Sequence, residues 1–396
     1  RKWPATPVWR AVCSSTHISS QVGQGIAVVL YAPKNSIRVY PEFGVDFFCY
    51  IRAIDCATLF GSRHAVNRSL FSDSQLNFLV LVNVGIFLFA SLWSGGQFVE
   101  LDNLQSMGSQ LPELGFLAIG VMLAMVSGNG GIDLSGVALA NLSGIVAAQL
   151  APLCASPDEA PVAFVCVFVL ITCATGIVGG FINGLLIART SLMPILATLG
   201  TQLLFTGIAV VLSDGSAVRI GYVEQLAAIS SETVLGVPIA FALFVATIAV
   251  LALLLKRTRF GVHLYLLGSN AKAARYAGIA QQRILLITYT LCVLLASVAG
   301  VIIASRTASV KWDYGSSYLL IAILMVVMAG VKPAGGYGRM VCLLFSATAL
   351  QALSSAFNLI GISNFFRDCA WGALLLVFLA TSGLPLSAWW KRQPAA

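Results

Sequence analysis

Residues 234–304 read Val234-LGVPIAFALFVATIAVLALL-Leu255, then Lys256-RTRFGVHLYLLGSNAKAARYAGIAQQ-Arg283, then Ile284-LLITYTLCVLLASVAGVII-Ala304. The outer two stretches are apolar and each has the roughly 17–25 residues that a helix needs to cross the hydrocarbon of a bilayer. Between them lie 28 residues with six Lys/Arg (Lys256, Arg257, Arg259, Lys272, Arg275, Arg283) and no carboxylate. Cytoplasmic loops of membrane proteins collect Lys and Arg. This stretch therefore sets the architecture, helices through a membrane, and also the orientation.

Composition agrees. Of 396 residues 58% are hydrophobic and only 10% charged, against about 25% charged in a soluble domain. The chain lacks the polar surface to cover itself in water, so the expected fold is all-α and polytopic. The formal charge of +8 does not point to nucleic acid, which needs basic residues clustered with aromatics on a soluble face; here the excess follows membrane sidedness. Nine cysteines show no metal or redox spacing and read as small apolar residues.

Ten spans are expected, at about 76–93, 112–127, 134–151, 161–188, 193–212, 234–255, 284–304, 317–331, 340–357 and 366–382. With the 256–283 loop inside, the inside segments after the first span hold eleven Lys/Arg (the six above with Arg189, Lys332, Arg339, Lys391 and Arg392) and one acid, Asp133. The outside segments hold four (Arg219, Arg306, Lys311, Arg367) against ten acids, Glu113 among them. An even span count places both termini in the cytoplasm. Residues 76–385 then form the transmembrane domain and 386–396 a cytoplasmic tail. Residues 1–75 stand apart, with eight Lys/Arg, four acids and no apolar stretch long enough to span. They are expected to be a poorly ordered cytoplasmic extension, or sequence outside the working protein.

Four stretches carry the chemistry. In Gly128-Asn-Gly-Gly-Ile-Asp133-Leu-Ser-Gly136 four glycines break a helix, and Asp133 is placed to cap the next one. Two readings stand: an N-cap on a tight cytoplasmic turn, or a broken segment beside a polar pathway. Gly176, Gly180 and Gly184 form overlapping GxxxG patterns, whose small residues let helix backbones approach closely. Asn183, in the same run, either bonds across helices or lines a passage. Thr198 and Gln202, four apart on one helix face, either line a conduit for hydroxylated solutes or bond between helices; Asn141 and Gln149 read the same way. Inside the basic loop, Asn270 is placed as the N-cap of a short helix carrying Lys272 and Arg275, with Gly278 at C′. Seven residues are too short to hold as a helix alone, so the segment either lies on anionic lipid headgroups or seats in a partner's groove. The basic turn Gly330–Arg339 reads as a plain interhelical connection.

These stretches, with Ala197-Thr-Leu-Gly-Thr201, Asn183-Gly-Leu-Leu-Ile187 and Gly335-Gly-Tyr-Gly338, resemble in order the permease subunits of bacterial ATP-binding-cassette importers for ribose, xylose, galactose and related solutes. Gly136-Val137 departs from the family's usual Val-Gly, which would shift the start of the following helix. The resemblance implies a pore of two permeases, identical or not, with two ATPase subunits below and a periplasmic solute-binding protein above. The helix around Lys272 and Arg275 is then the coupling element, and a second permease covers the GxxxG surfaces. It implies a bacterial inner-membrane location and no cofactor or metal in this chain, ATP being bound by the partner. No Gly-Lys pair exists to make a Walker A loop, and no catalytic residues converge. The alternatives are a permease for autoinducer-2 or nucleosides, or a secondary transporter working alone, which calls for intramembrane carboxylates or His.

Overall fold

A computed structural model describes residues 29–32, 35–38, 74–190 and 192–383. Most of the 1–75 extension and all of the 386–396 tail, and with them the cytoplasmic placement of the termini, lie outside the described residues. Two compact units are separable, residues 1–69 and 70–396. In the first, β1 (Val29–Ala32) and β2 (Asn35–Arg38) pair as an antiparallel hairpin.

The second unit is helical. Its long members are α1 (Ser74–Trp93), α2 (Leu101–Val126), α3 (Gly136–Cys154), α4 (Pro161–Thr190), α5 (Pro194–Leu212), α7 (Ile239–Arg257), α10 (Gln281–Thr307) and α12 (Met340–Leu359). All eight are long and apolar enough to cross a membrane. The eighth and tenth expected spans, 317–331 and 366–382, correspond to α11 (Tyr318–Met328) and α13 (Asn364–Gly383). Shorter helices α6 (Glu224–Ser231), α8 (Arg259–Ser269) and α9 (Ala271–Tyr276) sit in the connections.

Two details depart from the sequence expectation. Helix α1 begins at Ser74, and Gln75 Nε2 donates to the Met328 carbonyl at 2.9 Å, so the helical body starts before residue 76. The expected span 317–331 is a helix of only 11 residues, about 16 Å against a hydrocarbon core of about 30 Å. The residues before it are not helical. Non-helical backbone is tolerated within a membrane protein only where protein or water satisfies it. Asn141 of α3 does this, its Nδ2 donating to the carbonyls of Trp312 at 3.0 Å and Tyr314 at 2.9 Å.

Burial sorts the helices. About 83% of the apolar window of α2 and 67% of that of α10 is covered by protein, against 22% for α1 and 28% for α4, α5 and α7. Helices α2 and α10 therefore form the centre. Helix α10 packs against α4, α2 and α3, while α2 also meets α7, α11 and α12. The peripheral helices turn side chains such as Phe181, Leu203 and Val250 outward, as lipid requires.

The loops gather into two sets. At one end the 213–223 segment pairs with the chain after α10 through β3 (Val218–Arg219) and β4 (Ser309–Val310), in antiparallel register. Trp312 Nε1 also donates there to Gly215 O at 3.1 Å. At the other end lie residues 127–135, 256–283 and 330–339. That second set is the one the charge count places inside, so packing and charge agree.

Candidate functional site

The basic connection folds as two helices, where one was expected. Helix α8 is N-capped by Thr258, whose hydroxyl accepts from the Gly261 amide, and it buries Gly261, Leu264, Leu267 and Gly268 on one face. That spacing of three and four residues is an amphipathic stripe, the signal by which the sequence could have disclosed it. Helix α9 follows. Asn270 Oδ1 accepts from the Ala273 amide at 3.0 Å, an N-cap. At the far end Gly278 has φ +75°, its N–H donates to Arg275 O, and the Ile279 N–H donates to Ala274 O, both at 3.1 Å. This is a Schellman closure, which needs a residue in the left-handed region. Both stops are local, so the helix is held although it is only 6 residues long. Ala274 is buried, whereas Lys272, Arg275 and Tyr276 face outward, Tyr276 at 87% exposure.

Behind α9, three glycine-bearing segments meet backbone to backbone. A Cβ at Gly268 would lie 1.9 Å from Val126 O and 2.5 Å from Gly336 N, and one at Gly335 would lie 2.3 Å from Gly128 Cα. The Gly336 N–H donates to Val126 O at 3.0 Å. The end of α8, the end of α2 and the turn before α12 are thus one junction. The stretch 330–339, read from sequence as a plain connection, is a wall of this junction. The three are too far apart in sequence for spacing to show it.

From the junction the chain runs directly into Asp133. Asp133 is 3% exposed, and its Oδ1 accepts from the Ser135 amide at 3.0 Å and the Ser135 hydroxyl at 2.7 Å. The bonds stop two residues on, in an Asx turn. The expected cap of α3 by Asp133 is therefore corrected: the N-cap position belongs to Ser135, without a side-chain cap bond. Helix α3 still starts at Gly136. Burial pushes the Asp133 carboxyl above the usual carboxylate range, against the two bonds from Ser135.

Asn183 Nδ2 donates to Ser135 Oγ at 2.6 Å, and Thr198 Oγ1 donates to Ile132 O at 3.0 Å. Asp133, Asn183 and Thr198 are thus brought together, around one loop. Gln202 is half-buried a turn beyond Thr198 and joins none of these bonds. The cavity beside Asp133, lined also by Gly120, Gly136, Cys292 and Ala296, measures about 10 Å³, at the lower limit for a single water. Small-molecule pockets are about 300–1,000 Å³. In this conformation Asp133, Asn183 and Thr198 anchor a loop. Asn183 Oδ1 and the Tyr289 hydroxyl are buried with no partner among the described residues.

The GxxxG face is covered by this chain's own α10, which corrects the expectation that a second permease covers it. A Cβ at Gly180 would lie 2.8 Å from Thr290 Cα, one at Gly184 2.9 Å from Leu286 Cα, and one at Gly176 2.0 Å from Ser297 Oγ. The small residues let α4 and α10 touch at Gly176, Gly180 and Gly184 in turn.

Midway along α2, where it meets the end of α10, stands an ion pair that the sequence showed only as two outside charges. Glu113 is 1% exposed. Arg306 Nε bonds to Oε1, and Arg306 Nη2 donates to Oε2 at 3.1 Å. Tyr314 and Tyr318 donate to the same Oε2 at 3.4 and 3.3 Å. Such a pair is retained only with its lone pairs occupied, and two tyrosines do that here.

A bundle of apolar helices presenting a capped basic helix at one end defines a multi-pass membrane protein. A family model described as branched-chain amino acid transport system / permease component matches residues 104–379, and the chain belongs to this family. It is 32% identical over 283 residues to the ribose import permease protein RbsC of Escherichia coli (strain K12), covering 71% of this chain and 85% of the relative. The protein of the same name from Bacillus subtilis (strain 168) is 32% identical over 297 residues, 74% and 89% of the two chains. The autoinducer 2 import system permease protein LsrD of Photorhabdus temperata is 31% identical over 279 residues, 68% and 81%. No solved structure matches the chain. The protein is a multi-pass permease of the bacterial inner membrane.

Proposed function

We propose that the chain is the pore-forming subunit of an ATP-binding-cassette importer for a monosaccharide such as ribose, xylose or galactose. The observation that carries this reading is α9. A six-residue helix with both ends closed holds Lys272 and Arg275 outward, while its stem α8 is clamped at Gly268 to α2 and to the 335–336 turn. A force applied to α9 from the cytoplasm reaches the end of α2 and the Asp133 loop through contacts that have no slack. That is the arrangement needed when nucleotide is bound and hydrolysed by a separate ATPase subunit. A periplasmic solute-binding protein delivers the sugar, and a second permease, identical or homologous, completes the pore. The chain itself is non-catalytic and binds no cofactor.

In this scheme Asn270 and Gly278 hold the coupling helix, and Asp133, Asn183 and Thr198 set the loop that moves with it. Closure of the ATPases shifts the spans between two arrangements. The relative named for autoinducer 2 is nearly as similar, so a permease for that solute is the second reading.

The test replaces Lys272 and Arg275 together by Glu in the assembled complex. Coupling free energies are typically about 1–3 kcal/mol, or 5–150-fold, so solute-stimulated ATPase and uptake are expected to fall at least about fivefold with membrane insertion unchanged. Uptake at the unmodified rate refutes the docking role. Uptake driven by an ion gradient in vesicles holding this chain alone refutes the whole reading.

A further inference from the structure

An open cleft lies between the N-terminal half of α2, helix α6 and the end of α10, and has a volume of about 410 Å³. Seventeen residues of α2 separate Ser109 from Val126, about 25 Å of helix, so the cleft sits at the face opposite the glycine junction. We propose that it is a recognition site for one small, uncharged, polyhydroxylated solute. The proposal rests on the permease reading and locates where the permease itself first holds its cargo.

The lining has the right chemistry. Ser106, Ser109, Gln110, Ser230, Ser231 and Arg306 surround it. Several hydroxyl protons are already committed: Ser109 donates to Gln105 O at 3.0 Å, Ser231 to Ala227 O at 2.9 Å and Ser305 to Leu226 O at 2.6 Å. Gln110 Nε2 donates to Ser106 Oγ at 2.9 Å. What remains on the Ser109, Ser231 and Ser305 oxygens is lone pairs, which accept from a sugar's hydroxyls. Arg306 supplies the complementary donor. Its Nε and Nη2 are engaged by Glu113 and Tyr314, while no bond among the described residues occupies Nη1. Tyr222, 80% exposed, stands on the rim as a flat apolar surface with a polar tip, suited to the C–H face of a sugar ring.

Charge selects within polar solutes. Arg306 is neutralised by the buried Glu113 behind it, so the cleft offers hydrogen bonds without net positive charge. A neutral polyol fits and a phosphorylated one has nothing to offset its charge.

The experiment uses the purified full chain in lipid nanodiscs, with saturation-transfer NMR of millimolar D-ribose, D-xylose, D-galactose and D-ribose 5-phosphate. Tyr222→Ala removes the platform and Ser231→Trp fills the cleft from an exposed position on α6; unchanged thermal midpoints establish that both fold. A neutral sugar is expected to give a signal that falls about tenfold in each variant, the loss of one aromatic contact or of the direct hydrogen bonds, and ribose 5-phosphate a weaker one. Equal signals in the parent and both variants, a stronger signal from the phosphate ester, or none from any sugar overturns the proposal. Uptake by the whole complex separates the two readings. Import with an unchanged KM in both variants removes the cleft and leaves the permease. Sugar binding in the cleft of a complex that imports none of them removes the permease reading and leaves the cleft.

Discussion

Asp133 is a carboxylate withdrawn from water, held by two bonds from Ser135 and, through that hydroxyl, by Asn183. Its raised pKa means the folded state binds this proton more tightly than the unfolded chain. That contribution is complete below the unfolded pKa and is lost as pH rises through the folded one. Asp133→Asn imposes a neutral acceptor at every pH. Its thermal midpoint in detergent at pH 7 is expected to equal or exceed the parent's. Asp133→Ala strands the Ser135 donors in a dry site and is expected to cost about 1–3 kcal/mol. A lower midpoint for the Asn variant than for the Ala variant contradicts this account. The presence of a special residue at 133 was legible from the glycines around it. Its partner was not, because Asn183 lies 48 residues from Ser135. By contrast Asn270 and Gly278 were legible, since a cap bonds to amides and carbonyls only a few residues away.

At the scale of elements, glycine separates contact from accident. Gly180 on α4 stands against the backbone of Thr290, while nothing lies within 4 Å of the Cβ position of Gly200 on α5. Backbone cannot move aside as a side chain does, so Gly180→Ala must push α4 off α10. The expected loss is about 1–3 kcal/mol, read as a fall in thermal midpoint and in yield of folded protein. Gly200→Ala is expected to stay within about 1 kcal/mol of the parent, the ordinary helix-propensity gain. Equal effects at the two positions would show that the α4–α10 contact is not what the small residues serve. The GxxxG pattern disclosed that something approaches closely; that the neighbour is α10 of the same chain follows only from the packing. Helix α8 was hidden for a different reason. Its stripe is short and lies among charges, so the run reads as loop until its apolar face is seen against α2 and α7.

On the scale of the molecule, the family match covers 104–379 and the second compact unit is 70–396. Removing residues 1–69 is expected to leave membrane insertion and solute uptake unchanged, as measured by membrane fractionation and radiolabelled sugar. A truncated chain that no longer reaches the membrane fraction contradicts the division. The cut belongs before Ser74, because Gln75 already bonds to Met328. Sequence alone determined the greasy many-helix body, the segments that span it, the face that carries the basic loop and the closed ends of α9. All of these follow from forces acting within one helix or one loop: apolar transfer, charge at the membrane surface, and bonds to neighbouring amides. Tertiary structure alone decided that three glycine segments share one junction, that Asp133 holds Ser135 rather than capping α3, that α10 covers the GxxxG face, and that an open cleft faces the other side. Those outcomes depend on which distant backbones come within van der Waals distance, and no spacing along the chain encodes that.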